Sequence, residues 1–136
     1  MVRTSTANWQ GSGKEGSGTL SVQSGLITNQ AYTYASRFEQ AKGTNPEELV
    51  AAAHAACYSM KLSFILGAAG FTPEKIETSC SVTLENGAIT KSHLVLKASI
   101  PGISKEKFEE CANDAKVNCP ISKSLTASIT LEASLA

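Results

Sequence analysis

The feature that most constrains this chain is one apolar stretch, Leu49 to Phe71, long enough to span a bilayer yet diluted by alanine and interrupted by His54, Ser59, Lys61 and Ser63. A lysine near the midpoint of a lone spanning helix is costly, so the stretch is expected to be a core helix and no membrane contact is expected. Its start is explicit: Asn45 is a good N-cap, Pro46 suits the first helical position, and Glu48 stands three residues on, as in a capping box. Gly70 is the expected stop. Between them Val50, Met60, Leu62, Phe64, Ile65 and Leu66 are joined by alanines, which leaves nearly every face apolar or small and predicts a centrally buried helix.

The remainder reads as short strands and a second helix. Alternations at Leu20 and Val22, then at Ala31, Thr33 and Ala35, are separated by Gly16, Gly18 and Gly25 and predict two or three short strands. Ile76, Cys80, Val82 and Leu84 share one strand face, Asn86-Gly87 supplies a type I′ hairpin turn, and Leu94, Leu96, Ala98 and Ile100 line the return strand. A helix is predicted from Ser104, stapled by Ile103 and Phe108, with Phe108, Cys111, Ala112 and Ala115 facing inward. Asn118-Cys119-Pro120 ends it, placing Cys119 at an exposed turn and at the N-cap of a short turn from Ile121 to Leu125. A last half-buried strand alternates from Leu125 to Ala133. The expectation is one α+β domain over residues 1–136, with antiparallel strands around a long buried central helix.

Charge narrows the function. Twelve Lys and Arg balance twelve Asp and Glu, so the footprint demanded by nucleic acid or an anionic membrane is missing. Met1 to Gln10 has no basic segment followed by an apolar run, which predicts a cytoplasmic protein. In that compartment four cysteines point to chemistry, metal binding or core thiols before a disulfide framework. Cys80 and Cys111 fall on inward faces and are expected to be inert. Cys57, among Ala52, Ala53, Ala55 and Ala56, is open to close approach by a helix or a small ligand, and Cys119 lies near backbone N–H groups that favour a thiolate. A reactive pair and an alanine-rich crossing that merely includes a thiol both remain open. Arg37 can reach the core or sit on the surface against a carboxylate. Glu47 suits a first helical turn whatever its role. His54 is a general base, a metal ligand or a satisfied core histidine, the last being commonest, and His93 is expected to be solvated. A metal-binding domain using His54, Cys57, Cys119 and Cys111 is one rival reading, although no CxxC pair exists; a non-enzymatic pocket lined by Cys57 is another. No cofactor or metal is implied.

Two motifs narrow this further. Gly43-Thr44-Asn45-Pro46-Glu47-Glu48-Leu49 is followed by His54-Ala55-Ala56-Cys57, and Cys119-Pro120-Ile121-Ser122 stands downstream. Together they resemble the OsmC/Ohr family of organic hydroperoxide reductases, in its OsmC-like branch, and the likeness of element order covers nearly the whole chain. The resemblance implies an OsmC-like fold in an intertwined homodimer, a peroxidatic Cys57 resolved by Cys119 as a disulfide, and assistance from Arg37 and Glu47. It implies organic hydroperoxides as substrates, hydrogen peroxide less so, and an external dithiol, lipoyl-type among the candidates, as reductant. Cys57 lies about three turns inside its helix, beyond the reach of the terminal dipole, so a guanidinium must lower its pKa. Glu47 and Cys57 are ten residues apart, about 15 Å along one helix, so a shared site predicts that one subunit's Glu47 approaches the other's Cys57. In that arrangement Arg37 is expected to pair with a partner's Glu47.

Overall fold

Turn-forming glycines in the first third of the sequence divide a small antiparallel sheet. The computed structural model describes all residues, 1–136, and they cluster as two units, Met1–Leu49 and Val50–Ala136. In the first unit, β1 (Ser5–Gln10), β2 (Ser17–Val22) and β3 (Gln30–Tyr32) pair in the order β1-β2-β3. Gly18 stands opposite both Trp9 and Tyr32, whose ring centroids lie 5.3 Å apart. A Cβ there would fall 2.7 Å from the Trp9 ring and 2.8 Å from the Tyr32 ring, which is why the central strand has glycine at this crossing.

The alternation expected to continue through Thr33 and Ala35 does not. A five-residue helix α1 (Tyr34–Phe38) begins there instead, because Thr33 Oγ1 accepts the Ser36 N–H at 3.1 Å and Ser36 Oγ accepts the Thr33 N–H at 2.8 Å. This reciprocal cap uses side-chain hydroxyls to satisfy helix-end donors, and local bonding of that kind overrides a two-residue period.

Helix α2 (Pro46–Ala68) starts as expected, with Asn45 Oδ1 accepting the Glu48 N–H at 2.8 Å. It also stops as expected. Gly70, at φ +90°, donates to Gly67 O at 3.1 Å and Phe71 donates to Leu66 O at 2.9 Å, the paired bonds of a left-handed C-terminal cap. Its burial differs from expectation. His54, Tyr58, Leu62 and Leu66 form one buried stripe at four-residue spacing, whereas Met60 and Phe64 are 64% and 69% exposed. One chain thus covers one face of the helix, and an apolar face made of Ala52, Ala53, Ala56, Met60 and Phe64 is open.

In the second unit β4 (Lys75–Glu85) and β5 (Ala88–Ser99) form the expected hairpin, with Asn86 and Gly87 both at positive φ. After β5 come α3 (Lys105–Asn118), capped by Ser104, and α4 (Pro120–Ser124), capped by Cys119. The last strand β6 (Ser128–Leu135) then lies parallel to β5, with Leu94 opposite Leu131. An all-antiparallel set was the expectation. The two helices supply a crossover that brings the chain back to the sheet in the same direction, as a parallel pair requires. β6 begins at Ser128 because Leu125 is spent in capping α4. The core of this unit joins Leu62 and Leu66 of α2 to Leu94 and Leu96 of β5 and Phe108 of α3, with the predicted inward stripe of α3 fully realised.

Leu62→Ala should therefore lower the unfolding free energy by about 2–5 kcal/mol, as a shift in urea midpoint would measure. Val117→Ala, on the exposed side of α3, should stay within about 0.5 kcal/mol of wild type.

Candidate active site

The predicted site residues fall into two pairs, one in each unit. In the first, Arg37 occupies the last turn of α1 and Glu47 the first turn of α2. Arg37 Nη2 donates to Glu47 Oε1 at 2.7 Å, and Arg37 Nε donates to Oε1 at 3.0 Å and Oε2 at 3.2 Å. The guanidinium lies 5.1 Å from the Phe38 ring centroid. Both ends of the pair are fixed by one hydrogen-bonded corner: Asn45, which caps α2, also donates from Nδ2 to Ser36 O at 3.2 Å. The ion pair expected between subunits is thus made within one chain. Beside it opens a cleft of about 290 Å³, lined by Trp9, Tyr32, Tyr34, Arg37, Phe38 and Pro46.

In the second unit the chain brings Cys57 and Cys119, both free thiols, near enough for each to bear on the other's ionisation. Cys57 is half-buried on α2. Burial pushes its thiol above the ordinary value; the Ile121 N–H draws it back, the Cys119 thiol pushes it up again, and Lys61 draws it down. The surroundings of Cys57 in this unit therefore favour the thiol over the thiolate. Cys119, expected at an exposed turn, is 0% exposed. It is the N-cap of α4, where its Sγ accepts the Ser122 N–H at 3.4 Å and lies 3.6 Å from Ser122 Oγ. Pro120 fixes that geometry by standing at the first helical position.

Between the thiols and the sheet lies His54, which is fully buried. Its Nδ1 is 2.7 Å from Ser92 Oγ and its Nε2 is 2.7 Å from Ser122 Oγ, so both nitrogens are satisfied inside the core and the ring is not placed as a metal ligand. With both nitrogens engaged by hydroxyls, the ring has no lone pair free to join Cys57 and Cys119 around a metal. Burial holds its pKa below the usual histidine value. Cys80, expected to be an inert core thiol, has its Sγ 3.2 Å from Ser92 Oγ and 4.0 Å from His54 Nδ1. Cys111 is buried on α3 as expected. His93 is not simply solvated: its Nδ1 lies 2.6 Å from Thr130 Oγ1 and its Nε2 3.1 Å from Glu132 Oε2, partners that parallel β6 delivers. Ser92 and Ser122 are the site residues that sequence reasoning missed. The parity of Leu94, Leu96 and Ala98 already turned Ser92 inward, and Ser122 stands three residues after an N-cap, where a side chain and N–H both meet the cap.

Residues 39–134 match the model of a family described as OsmC-like protein. Peroxiredoxin OsmC of Escherichia coli strain K12 is 48% identical over 130 residues, spanning 93% of this chain and 91% of that one. Organic hydroperoxide resistance protein-like 1 of Staphylococcus saprophyticus is 30% identical over 99 residues, 70% of each chain. Among solved structures, an OsmC-like protein from Mycoplasma pneumoniae superimposes with a TM-score of 0.78 at 16% identity, covering 100% of this chain and 98% of that one. The organic hydroperoxide resistance protein OhrB of Bacillus subtilis gives 0.65 at 23% identity, covering 98% of both, so the shared fold extends across the chain.

The buried neutral imidazole sets a pH dependence of stability. Below the unfolded value of 6.5 the unfolded chain takes up a proton at His54 that the folded chain refuses, so stability falls as pH drops through that value toward the lower folded one. The urea midpoint should decline between pH 7 and pH 5.5, and His54→Asn should flatten that decline.

Proposed function

The chain belongs to the OsmC-like family, and we propose that it is a thiol-dependent peroxidase reducing organic hydroperoxides, and hydrogen peroxide more weakly, through Cys57 and Cys119. The observation that carries this reading is the meeting of two free thiols, one half-buried on α2 and the other held by donors at the N-cap of α4. The names of its relatives, a peroxiredoxin and an organic hydroperoxide resistance-like protein, support it.

The Cys57 thiolate attacks the distal peroxide oxygen, the O–O bond breaks, an alcohol leaves after protonation, and a sulfenic acid remains. Cys119 sulfur then attacks Cys57 sulfur, water leaves, and a disulfide forms ahead of irreversible oxidation. An external dithiol, of lipoyl type, takes the oxidising equivalents and resets both thiols. Since burial pushes the Cys57 thiol up, the first step needs a cation. Arg37, oriented by Glu47, supplies it from a second copy of the chain and holds the peroxide oxygens with its fork of donors. The aromatic-lined cleft next to Arg37 receives the organic part of the substrate. The open face of Ala52, Ala53, Ala56, Met60 and Phe64 serves as the crossing of two α2 helices in a symmetric homodimer with two equivalent sites. We take the whole chain, 1–136, as one cytoplasmic peroxidase domain.

Cys57→Ser should abolish loss of cumene hydroperoxide in an assay coupled to a dithiol, and peptide mapping of peroxide-treated wild type should recover a Cys57–Cys119 bridge. Cys119→Ser should complete one rapid turnover and accumulate sulfenic or sulfinic acid at Cys57; full steady-state turnover in that variant, or a dominant Cys80–Cys111 bridge in wild type, would refute the assignment.

The composite arrangement has its own check. Mixing inactive Cys57→Ser with inactive Glu47→Ala subunits should restore activity in the heterodimer, which retains one intact site. No recovery in demonstrated heterodimers counts against a site shared between subunits.

A further inference from the structure

A continuous line of polar side chains crosses the core of the second unit. Cys80 Sγ lies 3.2 Å from Ser92 Oγ, which lies 2.7 Å from His54 Nδ1; His54 Nε2 lies 2.7 Å from Ser122 Oγ, which lies 3.6 Å from Cys119 Sγ. Ser92, His54 and Cys119 are fully buried and Ser122 nearly so. For stability alone, apolar side chains of matching shape would serve as well, since the net gain from a buried hydrogen bond is small. We propose that His54, acting through Ser122, is a positioning residue that takes up the Cys119 proton as Cys119 closes the disulfide. This rests on the two-cysteine reading above.

A serine hydroxyl both donates and accepts, so the line can run in either direction. In one, Ser122 O–H donates to Cys119 Sγ and His54 Nε2–H donates to Ser122 Oγ. In the other, Cys119 S–H donates to Ser122 Oγ, Ser122 O–H donates to His54 Nε2, and His54 Nδ1–H donates to Ser92 Oγ. The resolving step starts from the second. As the Cys119 proton moves to Ser122 Oγ, the Ser122 proton moves to Nε2. The freed pair on Cys119 sulfur forms the S–S bond while the S–O bond of Cys57 breaks, oxidising Cys119 and reducing the Cys57 sulfur. The departing hydroxide takes a proton from water and the imidazolium returns one, so thiol plus sulfenic acid yields disulfide plus water. Throughout, the Ser122 N–H stays on Cys119 sulfur.

Burial keeps His54 neutral at pH 7 and so able to accept. The titratable groups around the line are thiols and a phenol: Cys80 on β4, Cys57 on α2, Cys119 itself, and Tyr58, whose hydroxyl donates to Ala112 O at 3.0 Å. Lys61 acts on Cys57.

Single-turnover oxidation by one equivalent of cumene hydroperoxide, with sulfenic acid trapped by a 1,3-dione and disulfide followed by thiol titration, separates the two steps. In Ser122→Ala and His54→Asn the sulfenic acid should form at the wild-type rate. Disulfide closure should slow about 100-fold at pH 7, the low end of what a positioned base contributes. Raising the pH to 9.5 should recover most of that loss, because hydroxide replaces the relay, and Ser122→Thr should close at near the wild-type rate. Should His54→Asn fail to fold, Ser122→Ala carries the test alone. Closure in Ser122→Ala at the wild-type rate with an unaltered pH profile overturns the proposal, as does a slowing that high pH leaves untouched. If wild type itself forms sulfenic acid but never the Cys57–Cys119 bridge, the two-cysteine reading has failed and the relay falls with it.

Discussion

One imidazole ties together the three elements on which the thiol pair depends. His54 projects from α2 and is held on one side by Ser92 of β5 and on the other by Ser122 of α4. Cys57 follows His54 by three residues on the same helix, and Cys119 caps the helix that carries Ser122. Fixing the ring against both serines therefore fixes the register of α2 against α4, and with it the meeting of the two sulfurs. A bond at 2.7 Å on each nitrogen is a directional constraint that leucine packing does not provide, since apolar contacts tolerate sliding that hydrogen bonds do not.

The first unit solves a similar problem with a different device. Thr33, Ser36 and Asn45 cap two helix starts and bond one to the other, so the loop between α1 and α2 is held at both ends. Arg37 and Glu47 then emerge at a separation that allows a forked ion pair. The Arg37 side chain remains 39% exposed, against 14% for the Glu47 side chain, so the arginine is the more open partner while the carboxylate orients it. An exposed ion pair contributes little stability. Holding an arginine in one orientation is what this corner achieves.

Much of this was legible in the sequence where local chemistry decides the structure. The Asn45-Pro46 start, the Gly70 stop, the Asn86-Gly87 turn and the Ser104 cap each act over a few residues and were correctly placed. Four features were not: three depend on longer range, and one on a contest between two local signals. The parallel direction of β6 follows from the path of α3 and α4, which a strand's own alternation does not encode. The open face of α2 reflects how much cover one chain possesses. Helix α1 came from a Thr–Ser reciprocal cap that competes with an equally plausible strand period. Burial of Cys119 required the core to close over a turn that looks exposed when read alone. At the site itself, motif resemblance drew attention to Cys57, Cys119, Arg37 and Glu47, and the chain pairs Arg37 with Glu47 and Cys57 with Cys119. The two serines on His54 escaped because a serine advertises nothing until its surroundings are known.

The unequal burial of the two thiols makes any bond between them one-sided. An incoming dithiol can approach sulfur only along the S–S axis, and the fully covered Cys119 offers no such path, whereas Cys57 is partly open. Attack would fall on Cys57, and Cys119 would depart as the leaving sulfur, received by the Ser122 N–H and hydroxyl already aimed at it. The mixed disulfide with the reductant would accordingly form on α2, at the sulfur proposed to meet the peroxide first, so that oxidant and reductant would enter by the same door and in turn.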